Sequence, residues 1–246
     1  MNEKPNFREI FQQFDVEGIF TGCQPTGKGH INDTLLVTTD APDSAGYILQ
    51  RINHQIFTNV PKLMENITRV TSHLRTKLSN QPARNQHEKV LEVIKTRNGA
   101  TFTQDTSGNY WRCYVYCAHS PQKEGGISPE QAFEGGKALG KFQALLADLP
   151  GDPLFEIIPR FHDLAWRLEN LHKAEAANVA GRLGEVRDVL EKLHIRENEM
   201  LEVHRLGLEG KIPVRITHND TKFNNILFDE AGKAVCVIDL DTVMSG

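Results

Sequence analysis

The chain has 246 residues, 39% hydrophobic and 24% charged, which is enough apolar surface for one large domain or two lobes and too much for a disordered chain. A formal net charge of -4, no apolar run of bilayer length and no apolar stretch after Met1 exclude the footprints of a nucleic-acid binder, a membrane span and a secretory signal, so the expected location is cytoplasmic, with neither nucleic acid nor membrane as partner. Cys23, Cys113, Cys117 and Cys236 have no CxxC pair and no histidine at zinc spacing, and read as buried thiols.

Phe7, Ile10, Phe11 and Phe14 recur at helical spacing and predict a short leading helix. Ile19 to Gln24, Ile31 to Thr39 and Tyr47 to Ile52 are apolar or β-branched runs separated by glycine- and proline-rich turns, the pattern of an antiparallel meander. A helix follows, capped by Thr58 or Asn59 with Pro61 in its first turn, and Val60, Leu63, Met64, Ile67, Val70, Leu74 and Leu78 define its buried face. Val90 to Thr96 and Tyr110 to Cys117 read as strands around a short third one, and the aromatics of the second read as core.

Pro121, Gly125 and Gly126 then break all periodicity, which places a linker over 118–127 between a first lobe, 1–117, and a helical second lobe, 128–246. Helices are predicted over Pro129 to Leu146 with Ser128 as cap, over Asp163 to Ala176, and over Leu183 to Leu208 as one long element. The chain closes on a hairpin. Val214 to Thr217 leads into a polar loop, Ile226 to Phe228 follows, and Ala234 to Leu240 is an apolar run, with Asp229, Gly232 and Lys233 supplying the turn.

That hairpin carries the chemistry. His218-Asn219-Asp220-Thr221-Lys222-Phe223-Asn224-Asn225 places Asp220 and Asn225 five apart, and Asp239 ends the second strand beside them. Phosphoryl transfer needs a carboxylate to orient and deprotonate the attacking hydroxyl, and oxygen ligands from two directions to hold Mg2+ against nucleotide phosphates. Asp220 is the candidate base, Asn225 and Asp239 the candidate metal ligands. Asp241, two residues on along a strand, is expected to face the same way and to be a further metal contact. Gly27, Gly29 and Asn32, in the turn between the first two strands, suit either a plain hairpin turn or a loop whose backbone N-H groups approach phosphate.

The string resembles the catalytic loop of the aminoglycoside phosphotransferase and choline kinase-like superfamily, relatives of the protein kinases. Gly29-His30-Ile31-Asn32-Asp33-Thr34, Tyr47-Ile48-Leu49-Gln50-Arg51-Ile52-Asn53, Met64-Glu65-Asn66 and His218-Asn219-Asp220-Thr221-Lys222 are similar in wording to N-acetylhexosamine 1-kinases. The resemblance implies a two-lobed α+β protein kinase-like fold, with a small antiparallel-sheet nucleotide-binding lobe and a mainly helical second lobe. It implies ATP and Mg2+ as cofactors and transfer to a hydroxyl of a small molecule, foremost the anomeric hydroxyl of an N-acetylhexosamine. Choline-type, aminoglycoside-type and methylthioribose-type acceptors, or a catalytically silent nucleotide-binding module, are the alternatives.

The resemblance also assigns residues. His218 orients the loop, and Lys222 either stabilises the transferring phosphoryl group or is a solvated lysine. Where the superfamily has a strand lysine paired with a helix glutamate, this chain offers Gln50 with Arg51 beside it, and Glu65, which can equally be a solvated helix residue. Phe161, His162, Asp163 and Arg167 correspond to a stretch near the acceptor, unless Asp163 is only a helix cap. Similar kinases continue with further helices beyond the point where this sequence stops, so the chain is expected to be C-terminally truncated relative to them.

Overall fold

A computed structural model describes residues 5–27, 31–42, 44–79, 89–119 and 127–245. The described residues fall into two compact units, Met1–Ile157 with Ile216–Ser245, and Ile158–Arg215. The fold is α+β.

In the larger unit, α1 (Phe7–Phe11) is followed by β1 (Phe20–Pro25), β2 (Asp33–Thr39) and β3 (Tyr47–Ile52), then α2 (Val60–Ser79), β4 (Val93–Ile94), β5 (Thr103–Gln104) and β6 (Tyr110–Val115). The sheet order is β1-β2-β3-β6-β4, with β5 also paired to β6, and every pairing is antiparallel. β1 to β3 form the expected meander. The β4 segment is shorter than its sequence pattern suggests, since Val93 and Ile94 alone hold ladder positions.

Strand alternation sorts the sheet's side chains onto two faces. Leu35, Val37, Tyr47, Leu49, Trp111 and Cys113 form a buried cluster with Ile10, Phe11 and Phe14, where the Phe11 and Tyr47 rings meet edge to face at 5.4 Å. Gln50 and Arg112, one residue out of phase, occupy the other face, and the Arg112 guanidinium reaches Met64 of α2.

Asn59 starts α2, its side chain accepting the Lys62 N-H at 3.1 Å. The apolar stripe Val60, Leu63, Met64, Ile67, Val70 and Leu74 is buried. Within that stripe sits Asn66, 1% exposed. Its amide donates to the carbonyls of Phe155 and Val243 at 2.8 and 3.1 Å and accepts the Phe155 N-H at 3.0 Å, which satisfies backbone groups that burial would otherwise leave unpaired.

α3 (Pro129–Leu146) begins with a reciprocal capping box between Ser128 and Gln131, with Pro129 in its first turn. Gly135 on this helix has a packing role. A Cβ there would come within 3.2 Å of the Phe223 ring, so glycine lets the turn that carries Phe223 lie against the helix. β7 (Ile216–Thr217) pairs with β10 (Met244–Ser245), and β8 (Ile226–Phe228) with β9 (Ala234–Val237). In the β8-β9 turn, Asp229 accepts the Lys233 N-H at 2.8 Å and Gly232 takes a φ of 76°.

The smaller unit holds α4 (Leu164–Ala177), α5 (Leu183–Met200) and α6 (Glu202–Leu208). The long helix expected over Leu183 to Leu208 is therefore two, broken at Leu201. Leu168 is the one buried residue of α4, and α5 and α6 bury none, so no continuous apolar face holds the pair in a single rod. Among the described residues no helix is long and apolar enough to cross a membrane.

Candidate active site

The loop from β7 to β8 is fixed from below by His218, 1% exposed. Its Nε2 lies 2.8 Å from the Ile238 carbonyl and its Nδ1 3.3 Å from the Asp220 N-H. The tautomer with Nε2 protonated satisfies both contacts, one as donor and one as acceptor. Thr242 donates to the His218 carbonyl at 2.7 Å, and Asn219, at a φ of 63°, donates to the Thr242 carbonyl at 3.0 Å. Loop and hairpin are thus cross-tied by backbone acceptors, with His218 at the centre.

Above it lie the candidate catalytic groups. Residues Phe223–Asn225 form a single 3-10 turn, which swings Asn225 back toward Asp220. The Asn225 amide nitrogen donates to the Asp220 carbonyl at 2.9 Å and to its carboxylate at 3.0 Å. Because a carbonyl can only accept, this fixes which end of the amide is nitrogen. It leaves the amide oxygen without a hydrogen bond among the described residues. Lys222 Nζ sits 2.8 Å from Asp220 Oδ2 and 3.9 Å from Asp239 Oδ2. Burial pushes the Asp220 carboxyl up, but the Lys222 hydrogen bond and charge, helped by Asn225, outweigh it and hold the group below the ordinary aspartate value.

Asp239 has no hydrogen-bond donor on its carboxylate among the described residues. Burial, reinforced by the neighbouring Asp241 carboxylate, raises its pKa despite opposing charge from Arg112 and Lys222. Its backbone is left-handed, with φ of 60° and ψ of 58°, a conformation uncommon for a non-glycine residue and typical of constrained sites. Asn225 and Asp239 stand on segments tied by the Ile238 N-H to the Asn225 carbonyl at 2.9 Å, and an under-compensated carboxylate with an open amide oxygen is the donor set of a hard divalent cation, so the residues present fit Mg2+.

Asp241 is corrected by the structure. β9 ends at Val237, Asp239 turns left-handed, and Leu240–Thr242 is a 3-10 turn, so the two-residue strand period that placed Asp241 beside Asp239 does not apply. Asp241 is 2% exposed. It accepts a two-pronged contact from Arg112, at 2.5 Å to Oδ1 and 2.9 Å to Oδ2, and a 2.6 Å bond from Asn32. Both oxygens are committed to protein donors, which leaves it a structural carboxylate.

Arg112 is the site residue that sequence reading misses. It stands opposite Gln50 across the β3-β6 ladder. Gln50 Oε1 accepts from its Nε and Nη2 at 2.9 and 2.6 Å, while Gln50 Nε2 donates to Thr34 at 2.8 Å. The buried cation under the sheet therefore comes from β6, with Gln50 as its neutral partner. An arginine between Trp111 and Cys113 in an otherwise apolar strand was the available signal, since buried arginine requires a paired anion.

The remaining expectations separate. Arg51 turns outward to an exposed pair with Asp33. Glu65 is also exposed, 2.7 Å from Lys62, so it does not face the Gln50-Arg112 group, and its neighbour Asn66 is the buried member of that stretch. Asn32 accepts the Asn53 N-H at 2.9 Å besides bonding Asp241. Gly27 takes a φ of 81° with open space where a Cβ would be, while Gly29 and the adjacent Lys28 lie outside the described residues.

In the smaller unit, Asp163 caps α4 by accepting the Trp166 N-H at 2.9 Å and pairs with Arg160 at 2.7 Å. Arg167 donates to the Phe161 carbonyl, and the Phe161 and His162 rings lie 4.4 Å apart. The cap function foreseen for Asp163 is present.

A model of the phosphotransferase enzyme family matches residues 22–246, and the chain belongs to that family. Among solved structures it is similar to an aminoglycoside phosphotransferase from Alicyclobacillus acidocaldarius, with a TM-score of 0.63 and 14% identity over 100% of this chain and 69% of that one. It is also similar to a GDP and kanamycin complex of the aminoglycoside phosphotransferase APH(2")-IIia (TM-score 0.57, 16% identity, 96% and 71% covered). A microcompartment-associated aminopropanol kinase gives a TM-score of 0.56 at 16% identity, with 97% and 69% covered. At these identities the likeness carries the fold, which is protein kinase-like.

Proposed function

We propose that this chain is an ATP- and Mg2+-dependent phosphotransferase acting on a hydroxyl of a small polar acceptor, foremost the anomeric hydroxyl of an N-acetylhexosamine. The observation that carries the chemistry is the grouping of Asp220, Asn225 and Asp239, with an amide oxygen and a carboxylate that take no hydrogen bond among the described residues. Asp220 orients the acceptor hydroxyl and takes its proton. Asn225 Oδ1 and Asp239 would hold Mg2+, which when bound neutralises nucleotide phosphate charge. Lys222, exposed and paired with Asp220, screens that carboxylate and supplies positive charge toward the transferring group. The turn around Gly27 and Asn32 covers phosphate, with Gln50 and Arg112 beneath it. The linker expected over 118–127 falls mostly outside the described residues, and Phe161, His162, Asp163 and Arg167 belong to the acceptor side.

The amino sugar rests on the wording of the motifs in the first 66 residues and the catalytic loop. An aminoglycoside or amino alcohol is the second reading, because the solved structures that share the fold include kinases named for such acceptors. Incubating the protein with radiolabelled ATP, Mg2+ and a panel of N-acetylhexosamines, aminoglycosides and amino alcohols tests both. Label in an acid-labile sugar 1-phosphate is expected. Label only in an aminoglycoside or amino alcohol would replace the acceptor, and no transfer together with no thermal stabilisation by millimolar MgATP would sink the phosphotransferase itself.

The Lys222 contact has a pH signature. In Lys222→Met, Asp220 loses the charge that holds its carboxyl low while burial still pushes it up, so the base stays protonated to higher pH. The acid limb of the kcat/KM profile should move to higher pH relative to wild type; an unmoved limb would separate Lys222 from the titrating group.

A further inference from the structure

Helices α4 and α5 each carry a histidine three residues before a glutamate, His172 with Glu175 and His194 with Glu197, a spacing that puts each pair on one helix face. The two faces meet. His172 Nε2 lies 2.7 Å and His194 Nδ1 2.6 Å from the same oxygen, Glu197 Oε1, and the other nitrogen of His194 lies 3.0 Å from Glu175 Oε2. Among the described residues this is the one place where three His, Cys, Asp or Glu side chains bring ligand atoms within 4.8 Å of one another. The second oxygen of Glu175 is buried and has no hydrogen-bond partner, although a buried carboxylate oxygen ordinarily finds a donor.

We propose that this cluster binds a divalent transition-metal ion of the zinc class through His172 Nε2, His194 Nδ1 and the Glu197 carboxylate, with Glu175 orienting His194 from its other ring nitrogen. Two imidazoles and one carboxylate leave a fourth position for water, the ligand set of an open zinc site, and imidazole donors favour Zn2+ over Mg2+ or Ca2+. A carboxylate on the far nitrogen of a ligating histidine is the usual support for such a ligand. On binding, His194 releases its Nδ1 proton to solvent and keeps its Nε2 proton on Glu175, while His172 takes the tautomer with its proton on Nδ1 so that Nε2 presents its lone pair to the ion.

The ion has a structural purpose in this unit. With Leu168 the one buried residue across α4, α5 and α6, side-chain burial contributes little to holding the helices together, and a metal crosslink supplies what a small core does not. This site does not depend on the phosphotransfer reading.

Titration calorimetry of the full chain with Zn2+ in metal-stripped buffer tests it, together with hydrogen exchange over residues 164–200. Wild type should saturate at one ion per chain, with slower exchange in α4 and α5 that EDTA reverses. His172→Gln and His194→Gln should each weaken Zn2+ binding by at least about 10-fold, and Glu175→Gln by about 10-fold, whereas Asp239→Asn should leave it unchanged. Absence of saturable Zn2+ uptake by the wild type, or uptake that both histidine variants retain, would overturn the site.

Discussion

Asp220→Asn is expected to lower kcat by about three orders of magnitude, within the range general-base removal produces, while the affinity for MgATP changes little. The substitution keeps size and shape, and the Asn225 amide can still donate to the residue-220 carbonyl, which accepts it at 2.9 Å in the native chain. What disappears is the proton acceptor and the negative partner of Lys222. Folding should be preserved, because Asp220 is partly exposed and the loop is anchored by His218 and Thr242 from beneath. Steady-state kinetics beside nucleotide titration separates the two effects. Turnover near the wild-type rate would remove Asp220 from its role, and lost nucleotide binding would recast it as a structural residue.

Arg112→Met should destabilise the fold by about 3–5 kcal/mol, the usual cost of stripping one partner from a buried ion pair. Arg112 and Asp241 side chains are 2% and 3% exposed, so Asp241 would be left with one neutral donor, Asn32, and Gln50 Oε1 would lose both of its donors. The double variant Arg112→Met with Asp241→Leu is expected to recover a substantial part of that loss, since replacing both charges removes the unpaired anion. Urea denaturation of the four proteins of this cycle measures the coupling. A single variant within about 1 kcal/mol of wild type would mean that the pair is as weak as a surface bridge.

Much of this architecture is readable in the chain itself, and the misses have definite causes. The stripe from Val60 to Leu74 and the Ser128-Pro129-Gln131 start suffice for α2 and α3, because periodicity and caps are local signals. β3 is likewise bounded by its own pattern. The end of β9 is not local: nothing in Val237-Ile238-Asp239-Leu240 announces that Asp239 turns left-handed, because that geometry is imposed by the His218 bond to Ile238 and the turn that follows. The same tertiary control explains Asp241, whose sequence position imitates a ligand while its oxygens answer Arg112. Glu65 and Asn66 exchange places for a related reason. Adjacent helix positions differ by 100° around the axis, and identity alone does not say which one turns inward.

Asn66 has a consequence for regulation. Kinase-type folds can be switched by displacing a single helix against the sheet. Here such a movement of α2 would strip partners from the Phe155 N-H and from the carbonyls of Phe155 and Val243 together. At about 1–3 kcal/mol for each stranded buried group, about 3–9 kcal/mol for the three, the displaced state would be populated below about one per cent. Any effector that swings this helix must therefore supply that difference in binding free energy, and without one α2 stays against Phe155 and Val243.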